Sequence, residues 1–178
     1  KITNVNKKST FVVGAMGRLV KKKGFDFLIK ACVEIKNLEL LIAGDGDEFA
    51  NLKKISDKYN NIKLLGWVNN KNKFFNSIDV FCSSSIMEPF GLVIIEAMSR
   101  GIPVISTKCN GPLDIIENNK NGLLIEIENK LELKDAIIKL KNNDSIRKKM
   151  GLNAINTYKK MFTFNKYKKN VNSILRQL

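Results

Sequence analysis

The chain has 178 residues, with 31 basic and 17 acidic side chains, no histidine and a formal net charge of +14. That length supports one domain with a substantial core, and no run approaches the ~20 consecutive apolar residues a membrane span needs. With no histidine, and with Cys32, Cys82 and Cys109 far apart in sequence, there is no zinc or dithiol pattern.

The three cysteines read as reduced packing residues of a cytoplasmic protein. The basic excess is mostly lysine, with arginine only at Arg18, Arg100, Arg147 and Arg176. Base and phosphate recognition by nucleic-acid binders leans on arginine forks, and no basic helix with interleaved aromatics occurs. Nucleic acid is therefore not an expected partner. The lysine excess reads first as compositional bias, and second as attraction to an anionic substrate or an anionic membrane surface. The opening Lys1–Lys8 is polar and basic, without the apolar core of a secretory leader. It starts without methionine, as a piece of a longer chain would.

Short β-branched runs alternate with helical patterns, which predicts a parallel sheet wound with helices. The first strand, Thr10–Met16, runs into Gly17-Arg18-Leu19-Val20-Lys21-Lys22-Lys23-Gly24 and a helix over Gly24–Ile35. This loop has neither the Gly-Lys-Ser/Thr ending of a phosphate-binding Walker loop nor a dinucleotide GxGxxG spacing. One arginine and a lysine cluster at a strand end suit a diphosphate held without a metal; the plain alternative is a solvated basic loop. The second strand, Glu39–Ala43, leads into Gly44-Asp45-Gly46-Asp47-Glu48. There the glycines turn the chain and Asp47 is expected to cap a helix over Asp47–Lys58, in preference to a metal site at Asp45 and Asp47. The third strand, Ile62–Leu65, ends at Gly66-Trp67-Val68. Trp67, the only tryptophan, reads first as a cap on the core and second as a neighbour for a planar base. A helix over Lys71–Ser77 and a strand over Val80–Cys82 follow.

The segment Glu88-Pro89-Phe90-Gly91-Leu92 opens a helix over Gly91–Arg100 that contains Glu96. The first N–H groups of such a helix have no intrahelical partner and form an anion site. Glu96 lies among Val93, Ile94, Ile95, Ala97 and Met98, where an unpaired carboxylate is costly to desolvate. Its plain explanation is an i,i+4 bridge to Arg100, and Glu88 would then be an ordinary loop carboxylate. Taken together, an anion site between two carboxylates suits a ligand carrying phosphate and hydroxyls, such as a nucleotide sugar.

A strand at Val104–Thr107 precedes Asn110-Gly111-Pro112-Leu113-Asp114, a turn into a helix over Pro112–Glu117. This turn either adds N–H groups near the sugar or merely turns the chain. After the strand Gly122–Ile125, helices over Glu132–Asn142, Asp144–Met161 and Asn165–Leu178 form a purely helical tail. The fold expected is α/β, a Rossmann-like three-layer sandwich of about six parallel strands with helices on both faces. Ligands of such sheets sit outside the carboxyl ends of the strands, where the glycine turns fall.

In order, Gly17-Arg18-Leu19 with Lys23-Gly24, Ile42-Ala43-Gly44-Asp45-Gly46, Gly66-Trp67-Val68, and Glu88-Pro89-Phe90-Gly91-Leu92 with Glu96-Ala97-Met98 and Gly101-Ile102-Pro103-Val104 resemble glycosyltransferase family 4. These are retaining enzymes of two Rossmann-like lobes, the GT-B architecture, and the resemblance covers the second, donor-binding lobe. It implies that residues 1–178 are a single nucleotide-sugar-binding lobe, with residues 162–178 the terminal helix that crosses back to the first lobe. It further implies that Arg18 and Lys23 hold the donor diphosphate as it leaves, aided by the backbone N–H groups of Gly91 and Leu92. Glu88 would bind the hydroxyls of the transferred sugar and Glu96 those of the ribose. The backbone near Trp67 and Val68 would meet the base, with Gly17, Pro89 and Phe90 completing the donor site.

The implied donor is a UDP-sugar, with GDP second, carrying a hexose or N-acetylhexosamine; no cofactor or metal is required. The version of the last loop from Cys109 to Ile116 resembles that of members transferring hexosamines. The acceptor, a surface glycan or lipid-linked saccharide, would bind through the lobe this chain lacks, with work done in the cytoplasm at the inner face of the cell membrane. Two rivals stand beside this reading. One is a non-catalytic nucleotide-sugar-binding module; the other is a Rossmann epimerase, which the missing GxGxxG disfavours.

Overall fold

The structure, a computed structural model, describes residues 10–176. The basic opening and the last two residues of the expected terminal helix lie outside them. Six parallel strands, β1 (Phe11–Met16), β2 (Leu38–Ala43), β3 (Ile62–Gly66), β4 (Val80–Ser83), β5 (Val104–Thr107) and β6 (Gly122–Ile125), form one sheet in the order β3-β2-β1-β4-β5-β6. The expected α/β architecture is thus the observed one. Helices α1 (Phe25–Cys32), α2 (Phe49–Ser56), α3 (Lys71–Ser77), α4 (Leu92–Met98), α5 (Asn110–Ile115), α6 (Lys130–Asn142), α7 (Asp144–Met161) and α8 (Phe164–Leu175) complete the described chain.

Strand periodicity divides the core in two. Val13 and Ala15 of β1 face one layer with Leu28 of α1 and Ile137 of α6, while Val12 faces the other with Phe75 of α3 and Ile94 of α4. Strands covered on both faces read as continuous apolar runs, and β1, β4 and β5 are buried almost throughout. The edge strand β3 departs from this: it alternates buried Ile62 with exposed Lys63, as a strand covered on one face does. All three cysteines are free and buried, and burial pushes the Cys82 thiol up to about 12.

Helix ends differ from the expected ones by a few residues. Asp47 is not the cap of α2: Glu48 occupies that position and no side chain caps it. The exposed Asp45 carboxylate accepts from the Gly46 N–H at 2.7 Å. The helix expected over Pro112–Glu117 starts earlier, at Asn110, and stops at Ile115.

Because strand order runs outward from β1 in one direction and from β4 in the other, the crevice opens between the carboxyl ends of β1 and β4. That is where ligands of open α/β sheets bind.

Candidate active site

The loops after β1, β2 and β3 are laced together at this end of the sheet. Gly17 N–H donates to the Ala43 carbonyl at 3.0 Å, Gly44 N–H to the Gly66 carbonyl at 2.8 Å, and Leu19 N–H to the Asp45 carbonyl at 2.8 Å. Between them lies a cleft of about 550 Å³ lined by Met16, Gly17, Arg18, Gly44, Asp45, Trp67, Val68, Lys71 and Val93, among others. Four of the expected donor residues, Gly17, Arg18, Trp67 and Val68, therefore share one wall. The Arg18 side chain is exposed and pairs with no acid among the described residues.

Trp67 does not cap the core. It is 77% exposed, and its indole N–H donates to Asn69 Oδ1 at 2.9 Å. The reason is the edge position of β3: the chain leaves the sheet at Gly66 with nothing beyond it to bury an indole. Trp67 is left with an open ring face at the cleft.

On the other side of the crevice, Glu88 is buried and forms an ion pair with Lys23, whose side chain is itself largely covered. Backbone packing brings the two together. Ser84 donates its hydroxyl to the carbonyls of Gly24 at 2.9 Å and Lys23 at 3.1 Å, and Ile86 N–H donates to the Lys22 carbonyl at 2.8 Å. At Gly24, with φ +62°, a Cβ would stand 2.3 Å from the Ser84 carbonyl oxygen, so no side chain fits this crossing. From the far side, Gly111 donates its N–H to the Glu88 carbonyl at 2.9 Å, and a Cβ there would meet the Phe90 carbonyl oxygen at 2.3 Å. The Asn110–Pro112 turn therefore positions Glu88. The Gly111 N–H is committed to that carbonyl and is not offered to a sugar.

The two glutamates differ in burial. Glu88 is 8% exposed, too covered for an ordinary loop carboxylate, whereas the helical Glu96 is half-buried with 33% of its side chain exposed. The i,i+4 bridge to Arg100, the plain alternative for Glu96, is not formed. Arg100 donates to the Glu96 backbone carbonyl and to Asn72 Oδ1, both at 2.7 Å, and lies 4.6 Å over the Phe75 ring. Glu96 instead accepts from Lys71 Nζ at 2.8 and 3.1 Å. Lys71 escaped notice in the sequence as a mere helix start. Its signal was available, since a lysine in a first helical turn opposes the helix dipole and implies a compensating acid.

Gly91 begins α4 in a left-handed conformation, with Ile94 N–H donating to its carbonyl at 2.9 Å. Pro89, Phe90 and Leu92 are exposed around it. The crevice thus gathers two lysines, a free arginine, a helix start and two carboxylates, the chemistry of a ligand with both phosphates and hydroxyls. The sequence pattern of the glycosyl transferases group 1 family matches residues 1–157.

The chain belongs to this glycosyltransferase family. It is 34% identical over 143 residues to the lipopolysaccharide core biosynthesis glycosyltransferase LpsE of Rhizobium meliloti strain 1021, covering 79% of this chain and 42% of that protein. It is 34% identical over 151 residues to the poly(ribitol-phosphate) alpha-N-acetylglucosaminyltransferase of Staphylococcus aureus strain COL, covering 80% of this chain and 31% of that protein. Among solved structures, Anabaena HepE in complex with UDP and glucose superimposes with a TM-score of 0.88 at 26% identity, covering 96% of this chain and 49% of HepE. The chain spans less than half the length of each of these relatives.

Among the described residues no three His, Cys, Asp or Glu side chains are grouped as metal ligands would be, and no helix is long and apolar enough to cross a membrane.

Proposed function

We propose that this chain is the donor-binding lobe of a retaining, family 4 glycosyltransferase of GT-B architecture, taking a UDP-sugar first and a GDP-sugar second. The observation that carries the reading is the Lys23–Glu88 pair across the β1/β4 crevice, beside a cleft walled by Arg18, Trp67 and Val68. The base lies against Trp67 and the Val68 backbone, and Glu96 receives the ribose hydroxyls. Arg18, Lys23 and the N–H groups of Gly91 and Leu92 hold the diphosphate, and Gly17, Pro89 and Phe90 shape its surroundings. As the glycosidic bond breaks, negative charge grows on the diphosphate, and fixed donors aimed at it lower the barrier without reorganising. Glu88 accepts the sugar hydroxyls and acts as an orienting group; it is not a covalent nucleophile, and substitution occurs on the face the leaving group departs from.

The transferred unit is a hexose or N-acetylhexosamine, consistent with the glucose held by HepE and the aminosugar in the name of the staphylococcal relative. The acceptor, a surface glycan or lipid-linked saccharide, is bound by a second lobe, towards which α8 (Phe164–Leu175) crosses. The enzyme works on the cytoplasmic side, where the chain's net charge of +14 favours contact with an anionic inner membrane face.

Calorimetric titration with UDP, GDP and ADP, with and without EDTA, tests this reading. UDP should bind most tightly and equally in both buffers. Binding abolished by EDTA would instead assign Asp45 and Asp47 to a metal. Preference for ADP would overturn the expected base.

A further inference from the structure

Lys71 stands at the rim of the cleft beside Trp67, Val68 and Val93, as the first residue of α3. The helix dipole disfavours a cation there, so its placement depends on a partner. That partner is Glu96, whose two carboxylate oxygens both accept from Lys71 Nζ, at 2.8 and 3.1 Å. Val93, one turn before Glu96 on the same face of α4, lines the cleft, which sets the carboxylate beside it. Arg100 cannot replace Lys71. Its guanidinium is already engaged by the Glu96 carbonyl, Asn72, Ser99 and the Phe75 ring.

Resting on the donor-site reading above, we infer that Lys71 is a positioning residue that aims the Glu96 carboxylate at the ribose diol and so sets a preference for ribonucleotides over 2′-deoxyribonucleotides. An ionised carboxylate has about four lone-pair sites and an ammonium three donors. One Lys71 contact on each oxygen leaves each oxygen a site for one hydroxyl of a 2′,3′-diol. The lysine fixes the carboxylate plane, and its charge also offsets the repulsion between Glu96 and an incoming diphosphate. A carboxylate without this lysine would meet the nucleotide free to rotate and with its charge uncompensated.

The test is titration of UDP and 2′-deoxy-UDP into the wild-type chain, Lys71→Met, Lys71→Arg, Glu96→Ala and the double variant Lys71→Met/Glu96→Ala, with thermal melts alongside. Wild type should prefer UDP by roughly tenfold or more, the scale of a hydrogen bond to a charged group. Lys71→Met should bring the two nucleotides to within about threefold, and Lys71→Arg should restore most of the preference. The double variant should discriminate no less than Glu96→Ala alone, because the two residues act as one unit. A folded Lys71→Met that keeps the wild-type preference would overturn the inference and leave the donor site intact. Equal loss for both nucleotides would also overturn it, marking Lys71 as a phosphate cation. A wild-type chain that binds neither nucleotide would overturn the donor-site reading along with it.

Discussion

Glu88 is 8% exposed and meets Lys23 inside a crossing of loops held by backbone contacts on both sides, whereas Glu96 sits on a helix face and meets Lys71 at an open rim. Both are glutamate–lysine pairs at the same end of one sheet. They differ in what holds them. The Glu88 pair is fixed by the fold itself, through Ser84, Gly24 and Gly111. The Glu96 pair is fixed by one long side chain, 49% exposed at Lys71, that can be exchanged without disturbing the backbone. A carboxylate that must orient a transferred sugar gains from the first arrangement, and one that selects a nucleotide can be tuned through the second.

The comparison is most severely tested at Gly111. An added methyl would stand 2.3 Å from the Phe90 carbonyl oxygen, so Gly111→Ala must push the Glu88 loop aside. Urea denaturation should show a loss of about 3 kcal/mol or more, within the range of backbone and overpacking effects. A fully stable Gly111→Ala variant would mean that the loop is not held as tightly as described.

The two lysines give the next contrast. Lys23→Ala strands a nearly buried carboxylate, and breaking such a pair costs about 3 kcal/mol. The same change should weaken UDP by roughly ten- to a hundredfold. Lys71→Met removes a more exposed pair and should cost less than about 1 kcal/mol of stability. Lys21→Ala and Lys22→Ala, at exposed positions of the same turn, serve as controls and should bind UDP as wild type does. Equal stability losses for Lys23→Ala and Lys71→Met would erase the distinction between the pairs.

What the sequence disclosed and what it hid follow the same division. Strands β1, β2, β4 and β5 were legible because burial on both faces writes continuous apolar runs, and the glycine turns after them marked the end of the sheet where the cleft lies. The reading of Trp67 as a cap on the core fails because its environment depends on β3 lying at an edge, and strand order is not written in local pattern. The burial of Glu88 depends on Ser84 and Gly111, which approach it through backbone contacts across long sequence separations. The Lys71–Glu96 pair spans α3 and α4 and was likewise invisible to an i,i+4 search, which offered Arg100 instead. Asp47 failed as a cap because the two glycines before it carry the turn one residue further than the cap pattern assumed.

The claim that these residues divide a nucleotide sugar between them is tested most directly by titrating UDP and UDP-glucose into Glu88→Ala and Glu96→Ala, with melts confirming that each is folded. Glu88→Ala should weaken UDP-glucose by roughly ten- to a hundredfold while leaving UDP nearly unchanged, and Glu96→Ala should weaken both ligands by similar factors. Equal losses of UDP and UDP-glucose in Glu88→Ala, or wild-type affinity for both in a folded Glu96→Ala, would contradict the assignment.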